Sequence, residues 1–110
     1  MSLSYRTLEN KHHINFYSTE DGGNVKEEGD YKEGTKDGLW TSWYENGQKK
    51  REENYKDGKE DRLWVYWYWN GQKRKEGNYK EGKKNGLWTF WSRCGNVTIT
   101  ETYKEGELVE

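Results

Sequence analysis

Large apolar side chains gather in three short segments of the chain, and charged residues with glycine fill the intervals between them. The densest segment covers residues 63–69 and ends at Asn70-Gly71. Related segments begin at Leu39 and at Leu87, which lie at equal distances before and after Leu63. The apolar residues follow no helical period, and an Asn-Gly pair between extended segments is a strong hairpin signal. The pattern therefore predicts tandem β-hairpins and no helix.

The 24-residue unit keeps its register without an insertion from residue 31 to residue 106. Each unit opens with Tyr-Lys, an acidic residue and glycine, at Tyr31, Tyr55, Tyr79 and Tyr103. We predict full repeats over 31–54, 55–78 and 79–102 and a partial repeat over 103–110.

A degenerate copy of the unit is expected over residues 16–30. Counting back by one repeat places Phe16 at the position of Trp40 and Gly22-Gly23 at that of Asn46-Gly47. Degenerate terminal units are usual in repeat arrays, where they cap the stack. Residues 1–15 show no periodicity, so we predict an irregular segment there and a repeat domain over 16–110.

Composition decides whether such a chain folds. Only 14 of 110 residues are Leu, Ile, Val or Phe, a scarcity that is typical of disordered chains. The net charge is only −1, however, and the chain holds 7 Trp and 9 Tyr, each of which buries about 150–250 Å². We therefore predict an all-β fold, an antiparallel meander of tandem 24-residue β-hairpin repeats in one twisted layer with about eight strands. A coil of stacked hairpins that buries one aromatic row fits the same periodicity.

The alternation of side chains along a strand sorts the aromatic residues into two rows. A two-residue loop at Asn46-Gly47 would pair Tyr44 with Lys49 and would place Trp40 and Trp43 on opposite faces. We assign the row of Trp40, Trp64 and Trp88 to the structure. A single layer cannot bury both faces, and an exposed apolar patch usually marks a binding surface. The candidate partner-binding residues are therefore the second row and its neighbour: Trp43, Trp67, Trp69 and Trp91.

No group of residues has the pattern of a catalytic, cofactor or metal site. His12 and His13 have no cysteine or acidic partner at ligand spacing, and Cys94 occupies a turn position that is Asn in the sibling repeats. Glutamates on the charged strands are better explained as solvent-exposed residues of the sheet than as a catalytic acid/base pair. The chain is predicted to be no enzyme and to need no cofactor.

The segment from Tyr31 to Gln48 reads Tyr-Lys-Glu-Gly-x-x-x-Gly-Leu-Trp-x-x-Trp-Tyr-x-Asn-Gly-Gln and resembles the MORN repeat. It is most similar to the bacterial MORN-variant group that includes the YwqK-type proteins, which are catalogued as candidate antitoxin components. The resemblance covers residues 30–106, with a weaker extension to residue 16, and implies a hairpin meander that takes part in protein interaction, sometimes at membranes. Arg62 replaces the glycine before Leu63, and Cys94 replaces the turn asparagine, which affects the expected turn geometry of the third unit.

Three function classes follow. The first is a non-catalytic protein-interaction module with an antitoxin-like or scaffold role, whose partner is a cognate toxin or a second copy. The second is glycan or cell-wall binding through the Trp rows, and the third is membrane-surface binding, which the lack of a basic surface disfavours. A near-neutral chain also lacks the charge of a nucleic-acid binder. A lone cysteine and the absence of a signal-peptide pattern make the cytoplasm the expected location, unless an upstream targeting segment has been removed.

Overall fold

The structure, a computed structural model, describes residues 10–110, and they form a single open antiparallel sheet with extents of 54 × 41 × 12 Å. The predicted single-layer, all-β meander is confirmed, and a 3₁₀ turn at Thr19–Asp21 is its one helical element in the described part of the chain. Residues 10–110 form ten strands rather than about eight: β1 (Lys11–Phe16), β2 (Val25–Lys32), β3 (Thr35–Trp43), β4 (Lys49–Lys56), β5 (Lys59–Glu60), β6 (Arg62–Trp67), β7 (Lys73–Lys80), β8 (Lys83–Trp91), β9 (Val97–Lys104) and β10 (Glu107–Leu108).

The strands follow chain order across the sheet, except that β5 and β6 both pair with β4. They are the two halves of one strand, which is continuous in the corresponding β3 and β8. The interruption lies at Asp61-Arg62, where Arg62 has a φ of 60°. Gly38 and Gly86 occupy the equivalent position, with φ of 73° and 80°. Only glycine adopts this left-handed conformation without steric cost, so Arg62 is strained where its siblings are not.

The hairpin turns at Asn-Gly differ from the two-residue loop that the sequence predicted. The Tyr44 N–H donates to the Gln48 carbonyl, and the Gly47 N–H donates to the Tyr44 carbonyl. The loop therefore holds three residues and ends at Gly47, whose φ is 86°. Next to the loop, the partner of Lys49 is Trp43, whereas the sequence predicted Tyr44 as its partner. The predicted register is therefore wrong at the turn. A β-bulge at this point shifts the pairing by one residue.

Beyond the bulge the predicted register is confirmed. Trp40 pairs with Glu53, and Ser42 pairs with Arg51. The bulge offsets the odd-numbered loop, so the residues of β3 from Gly38 to Ser42 face the partners that a two-residue loop would have given them. The two-residue loops with positive φ lie instead at the acidic-Gly pairs, as at Glu33-Gly34, with φ of 51° and 82°.

The first repeat begins earlier than the sequence predicted. Residues 11–15, expected to be irregular, belong to β1, while residues 1–9 lie outside the described part of the chain. His13 pairs with Gly29 as Trp40 pairs with Glu53, and Phe16 pairs with Val25 as Trp43 pairs with Lys49. His13 rather than Phe16 therefore corresponds to Trp40, so β1 lies further back along the chain than one repeat period would place it.

A longer connection explains this offset. The chain between β1 and β2 passes through the 3₁₀ turn at Thr19–Asp21, which is capped by Ser18 and Gly22, instead of a two-residue loop at Gly22-Gly23. Phe16 is consequently exposed and does not take the place of Trp40. In the first repeat, His13 occupies the position that Trp40 has in the next repeat. The His13 ring stacks on the ring of Trp40 at a centroid distance of 5.5 Å.

Candidate docking surface

One face of the sheet, here called the front face, is organised by Trp40, Trp64 and Trp88. All three are buried, and Trp88 is only 1% exposed, so the row assigned to the structure from the sequence is confirmed as the core. Each indole Nε1–H donates to a main-chain carbonyl of the preceding hairpin, at 2.9–3.1 Å. The acceptors are the carbonyls of Asp30, Asn54 and Asn78. Each tryptophan therefore fastens one repeat to the one before it.

Glycine makes room for these rings in a sheet that has no second layer. A Cβ atom built on Gly77 would lie 2.0 Å from Cδ2 of Trp88, and one on Gly29 would lie 2.1 Å from the same atom of Trp40. The indole rings of Trp40 and Trp88 thus lie flat on the backbone of a glycine in the neighbouring strand. The corresponding position in the middle repeat is Glu53, whose buried carboxylate accepts a hydrogen bond from the Tyr55 hydroxyl at 3.3 Å.

Tyrosine and lysine side chains cover the outer side of the front-face row. Tyr55 and Tyr79 both contact the Trp64 ring, at centroid distances of 5.2 and 5.0 Å. The Lys36 ammonium lies 4.6 Å from the Trp40 centroid and 5.2 Å from that of Tyr55. Long lysine stems cover apolar surface while their charged ends stay in water. The front face is therefore largely covered by the protein itself.

The opposite face, here called the back face, carries the second tryptophan row. Trp43, Trp67 and Trp91 are the last residues of β3, β6 and β8, and strand alternation directs them away from the buried row. They are partly buried. The Lys49 ammonium lies 5.8 Å from the Trp67 centroid, and Lys73 has the same relation to Trp91.

Each of these lysines also pairs with a glutamate on its own strand. Lys49 contacts Glu52, and the Lys73 ammonium lies 2.6 Å from Glu76. Both lysines are therefore held over the rings. The tryptophans of the back face are less open than the sequence suggested, because a cation from the preceding hairpin lies against two of them.

A row of leucines is the most exposed apolar feature of the back face, and sequence analysis did not single it out. Leu39, Leu63 and Leu87 are 50%, 42% and 58% exposed. They lie on β3, β6 and β8, with one strand between each pair, so neighbouring leucines are about 10 Å apart. The signal was present in the sequence, because a leucine precedes each core tryptophan and alternation places it on the other face.

Between the leucine and tryptophan rows lies a third back-face row, which is mostly buried. Val65 is among the most buried apolar residues of the described chain, and Thr41 is also buried. The back face of β3, β6 and β8 therefore presents leucine at one end and tryptophan at the other, and the strands between them carry polar side chains. Glu52 and Glu76, held by their lysines, lie in this middle row on the intervening strands, where Glu52 pairs with Thr41 and both glutamates pair with Val65.

Comparison with known families agrees with this hairpin geometry. The family model described as MORN repeat variant matches residues 36–57, which cover β3 from its second residue, all of β4 and the first residue of the turn that follows. A MORN repeat variant lies in this hairpin. Searches of curated proteins and of solved structures found no match. MORN repeats are a non-catalytic repeat type generally associated with protein or membrane interaction.

Side chains in the Asn-Gly turns connect each MORN-like hairpin to the next. The Tyr44 hydroxyl donates to the Trp67 carbonyl at 2.7 Å, and the Asn46 side-chain amide donates to the Trp69 carbonyl at 2.9 Å. Tyr68 and Asn70 make the same bonds to the third hairpin. These bonds fix the end of the sheet at which the back-face tryptophans lie.

Two residues that the sequence analysis considered, Trp69 and Cys94, lie in these turns. Trp69 belongs to the turn after β6, and its side chain is 63% exposed. Strand alternation does not assign it to either face, so it stands apart from Trp67. Cys94 is exposed in the third turn, where the Ser92 hydroxyl accepts the Cys94 N–H at 3.3 Å.

Burial and neighbouring charge change the acidity of several side chains without assembling a reaction centre. Burial, followed by the charge of Glu53, raises the pKa of Tyr66 to about 12. Burial lowers the pKa of Lys75. Hydrogen bonds to Asp30 and then to Glu28 raise the pKa of His12, whose ring nitrogens lie 2.7 and 2.8 Å from the two carboxylates.

No group of three His, Cys, Asp or Glu residues within 10–110 is arranged to hold a metal ion. The described residues also contain no helix long and apolar enough to cross a membrane. A cleft of about 390 Å³ lies between two acidic-Gly turns, and its walls are mainly charged side chains of both signs, including Lys80, Glu81, Lys104 and Glu105. Such a lining does not suit an apolar ligand.

Proposed function

We propose that the protein is a protein-interaction module that binds its partner on the back face. The observation that carries this proposal is the row of exposed leucines beside the partly buried row of Trp43, Trp67 and Trp91. Repeated exposed apolar side chains on one face usually mark a contact surface, and interface cores favour tryptophan because it buries much area at little entropic cost. The general association of MORN repeats with interaction modules supports the same class of function.

The spacing of the leucines suits an amphipathic helix as the docking element of the partner. Neighbouring leucines are about 10 Å apart across the sheet. Residues seven positions apart on a helix are separated by about 10.5 Å and lie on the same side. A helix laid across the strands would therefore present one apolar residue to each leucine. A cognate toxin or a scaffolded protein could carry such a helix, and the comparisons name neither.

Sugar binding is the weaker alternative for this surface. Stacking on a sugar ring needs a flat aromatic face that is open to solvent. Lys49 and Lys73 lie against the rings of Trp67 and Trp91, and both rings are partly buried. Trp69 is open, but it has no repeated counterpart, because Glu45 and Arg93 occupy its position in the other turns.

Site-specific photo-crosslinking tests the proposal without removing a structural side chain. A photoreactive amino acid replaces Leu63 on the back face, and in a matched variant it replaces the exposed Leu108 on β10. Both proteins are irradiated in a lysate of the organism that encodes the chain. We expect a defined crosslinked protein from position 63 and not from position 108. Equal crosslinking from both positions, or none from position 63, would refute the back-face assignment.

A further inference from the structure

The outer edge of β9 carries uncharged β-branched residues where the earlier repeats carry charges. Residues 97–100 read Val-Thr-Ile-Thr, whereas the equivalent residues 49–52 read Lys-Lys-Arg-Glu and residues 73–76 read Lys-Arg-Lys-Glu. Charged side chains, lysine above all, are the usual means by which an edge strand resists pairing with another chain. In this protein β9, which lies near the edge of the sheet, lacks these charged side chains at residues 97–100.

The uncovered part of β9 coincides with the position at which successive repeats pair. In β4, Arg51 and Glu52 pair with Tyr66 and Val65 of the next hairpin. The equivalent residues of β9 are Ile99 and Thr100. The short β10 pairs only with Tyr103 and Lys104, while the Thr102 main chain bonds to residues 109 and 110.

Among the described residues, therefore, nothing pairs with the outer edge of β9 between Val97 and Glu101. The side chains of Val97 and Ile99 are 58% and 51% exposed. An apolar, β-branched edge of this length is suited to pair with another strand.

We propose that this edge binds a second copy of the chain, β9 against β9 in antiparallel orientation. A two-fold axis perpendicular to the sheet at Ile99 would place Ile99 opposite its own counterpart and Thr98 opposite Thr100. Val97 would then face Glu101. The arrangement is isologous, since the same surface is used on both copies, and it closes at two subunits.

Charge explains why a second copy suits β9 and would not suit its siblings. In β9 the paired residues carry no like charges, because only Glu101 is charged and it faces a valine. The same two-fold pairing of β7 would place Lys75 directly opposite Lys75, and like charges in that position are destabilising. The replacement of a basic residue by Ile99 therefore removes the feature that would block self-pairing.

Such a dimer would extend the sheet without covering either face. A two-fold axis perpendicular to the sheet keeps the back faces of both copies on the same side. Leu87 pairs with Thr102, three residues from the axis, so the leucine rows of the two copies would lie on opposite sides of the axis and would not join. The dimer does not depend on the back face being a docking surface, so the two proposals can fail separately.

Light scattering after size-exclusion chromatography tests the stoichiometry over a dilution series of the whole chain. We expect a species of twice the 13.3 kDa chain mass that dissociates on dilution. Ile99→Arg restores the basic residue of the siblings and should weaken dimerisation about tenfold or more, because it sets like charges across the axis. Leu63→Ser on the back face should leave the dimer unchanged.

Disulfide trapping tests the position of the axis. Residues directly opposite in an antiparallel pair have Cα atoms about 4.5–5.5 Å apart, which is within the range that a disulfide spans. Ile99→Cys, in a Cys94→Ser background, should form a covalent dimer on mild oxidation. Leu108→Cys in the same background is the matched control, because its side chain is also exposed but lies on β10.

A chain that stays at 13.3 kDa at the highest concentration would overturn the proposal. Species that keep growing with concentration would also overturn it, because they would indicate head-to-tail association with another edge. Equal crosslinking of the two cysteine variants would overturn the placement of the axis at Ile99. Circular dichroism of each variant shows whether the sheet is intact, and Thr100→Lys is a second charge variant if Ile99→Arg does not fold.

Discussion

Adding one methyl group at Gly77 should destabilise the whole sheet. A Cβ atom there would lie 2.0 Å from Cδ2 and 2.2 Å from Cε2 of Trp88, well inside any real contact distance. The φ of Gly77 is not in the left-handed region, so the backbone accepts alanine. Gly77→Ala therefore tests the space under the indole ring and no other property of glycine.

The expected loss of stability combines three contributions, two of which come from the displacement of Trp88. Overpacking of this kind costs about 1–3 kcal/mol. The Trp88 Nε1–H also donates to the Asn78 carbonyl at 3.1 Å, and loss of that bond adds about 0.5–1.5 kcal/mol. Alanine recovers about 0.4–1 kcal/mol by restricting the unfolded chain. We expect a net loss of about 2–3 kcal/mol in the free energy of unfolding.

Urea unfolding, followed by tryptophan fluorescence and by circular dichroism, measures this loss. Glu53→Ala is the matched control, because the equivalent position in the middle repeat already carries a Cβ atom. It adds no atom beneath the Trp64 ring and removes the contacts of a buried carboxylate with Tyr55 and Arg51, at 3.3 and 3.7 Å, so it should cost about 0.5–1.5 kcal/mol. Equal losses for the two variants, or a Gly77→Ala protein as stable as the original, would refute the argument.

Three further predictions concern stability. Arg62→Gly should stabilise the protein by about 0.5–1 kcal/mol in urea unfolding, because it relieves a φ of 60° at the cost of some chain entropy. Trp64→Ala should cost about 3–5 kcal/mol in the same assay, whereas Phe16→Ala should cost much less, because Phe16 is exposed. Tyr66, with its pKa raised to about 12, contributes stability that is complete below the ordinary value of 10.0 and is lost as pH rises from 10.0 to 12. Thermal melts across that range should show a steeper decline for the original chain than for Tyr66→Phe.

The fold was predictable because the same 24-residue pattern occurs several times in the sequence. Residues 31–106 keep one register, and the copies share most of their turn glycines and aromatic positions. Alternation alone placed Trp40 and Trp43 on opposite faces. The single layer follows from the same fact, since neither face of any repeat is wholly apolar.

The turns and the first repeat were not predictable in the same way. An Asn-Gly pair fits both a two-residue loop and the last positions of a three-residue loop, and only the bonds of Tyr44 with Gln48 and Gly47 distinguish them. In the first repeat, a longer connection shifts β1 along the chain, so counting in whole repeats misplaced Phe16. His13 and Tyr17 align with Trp40 and Tyr44 only when that shift is included in the comparison.

The candidate site was predictable in part. The tryptophan row of the back face was found, but its coverage by Lys49 and Lys73 depends on side-chain conformations that periodicity does not reveal. The leucine row was overlooked because a leucine beside a tryptophan suggests core. Its exposure follows from the missing second layer.

The affinity of the partner for two leucine variants tests the central claim, that the back face is the docking surface. The partner is the protein crosslinked from position 63, and titration calorimetry measures its binding to the purified chain. Leu63→Ser should weaken binding about tenfold or more, as loss of an interface anchor does. Leu108→Ser removes a leucine that is also exposed but lies outside the row, and it should leave the affinity unchanged. Unchanged binding by Leu63→Ser, or equal weakening by both variants, would contradict the claim.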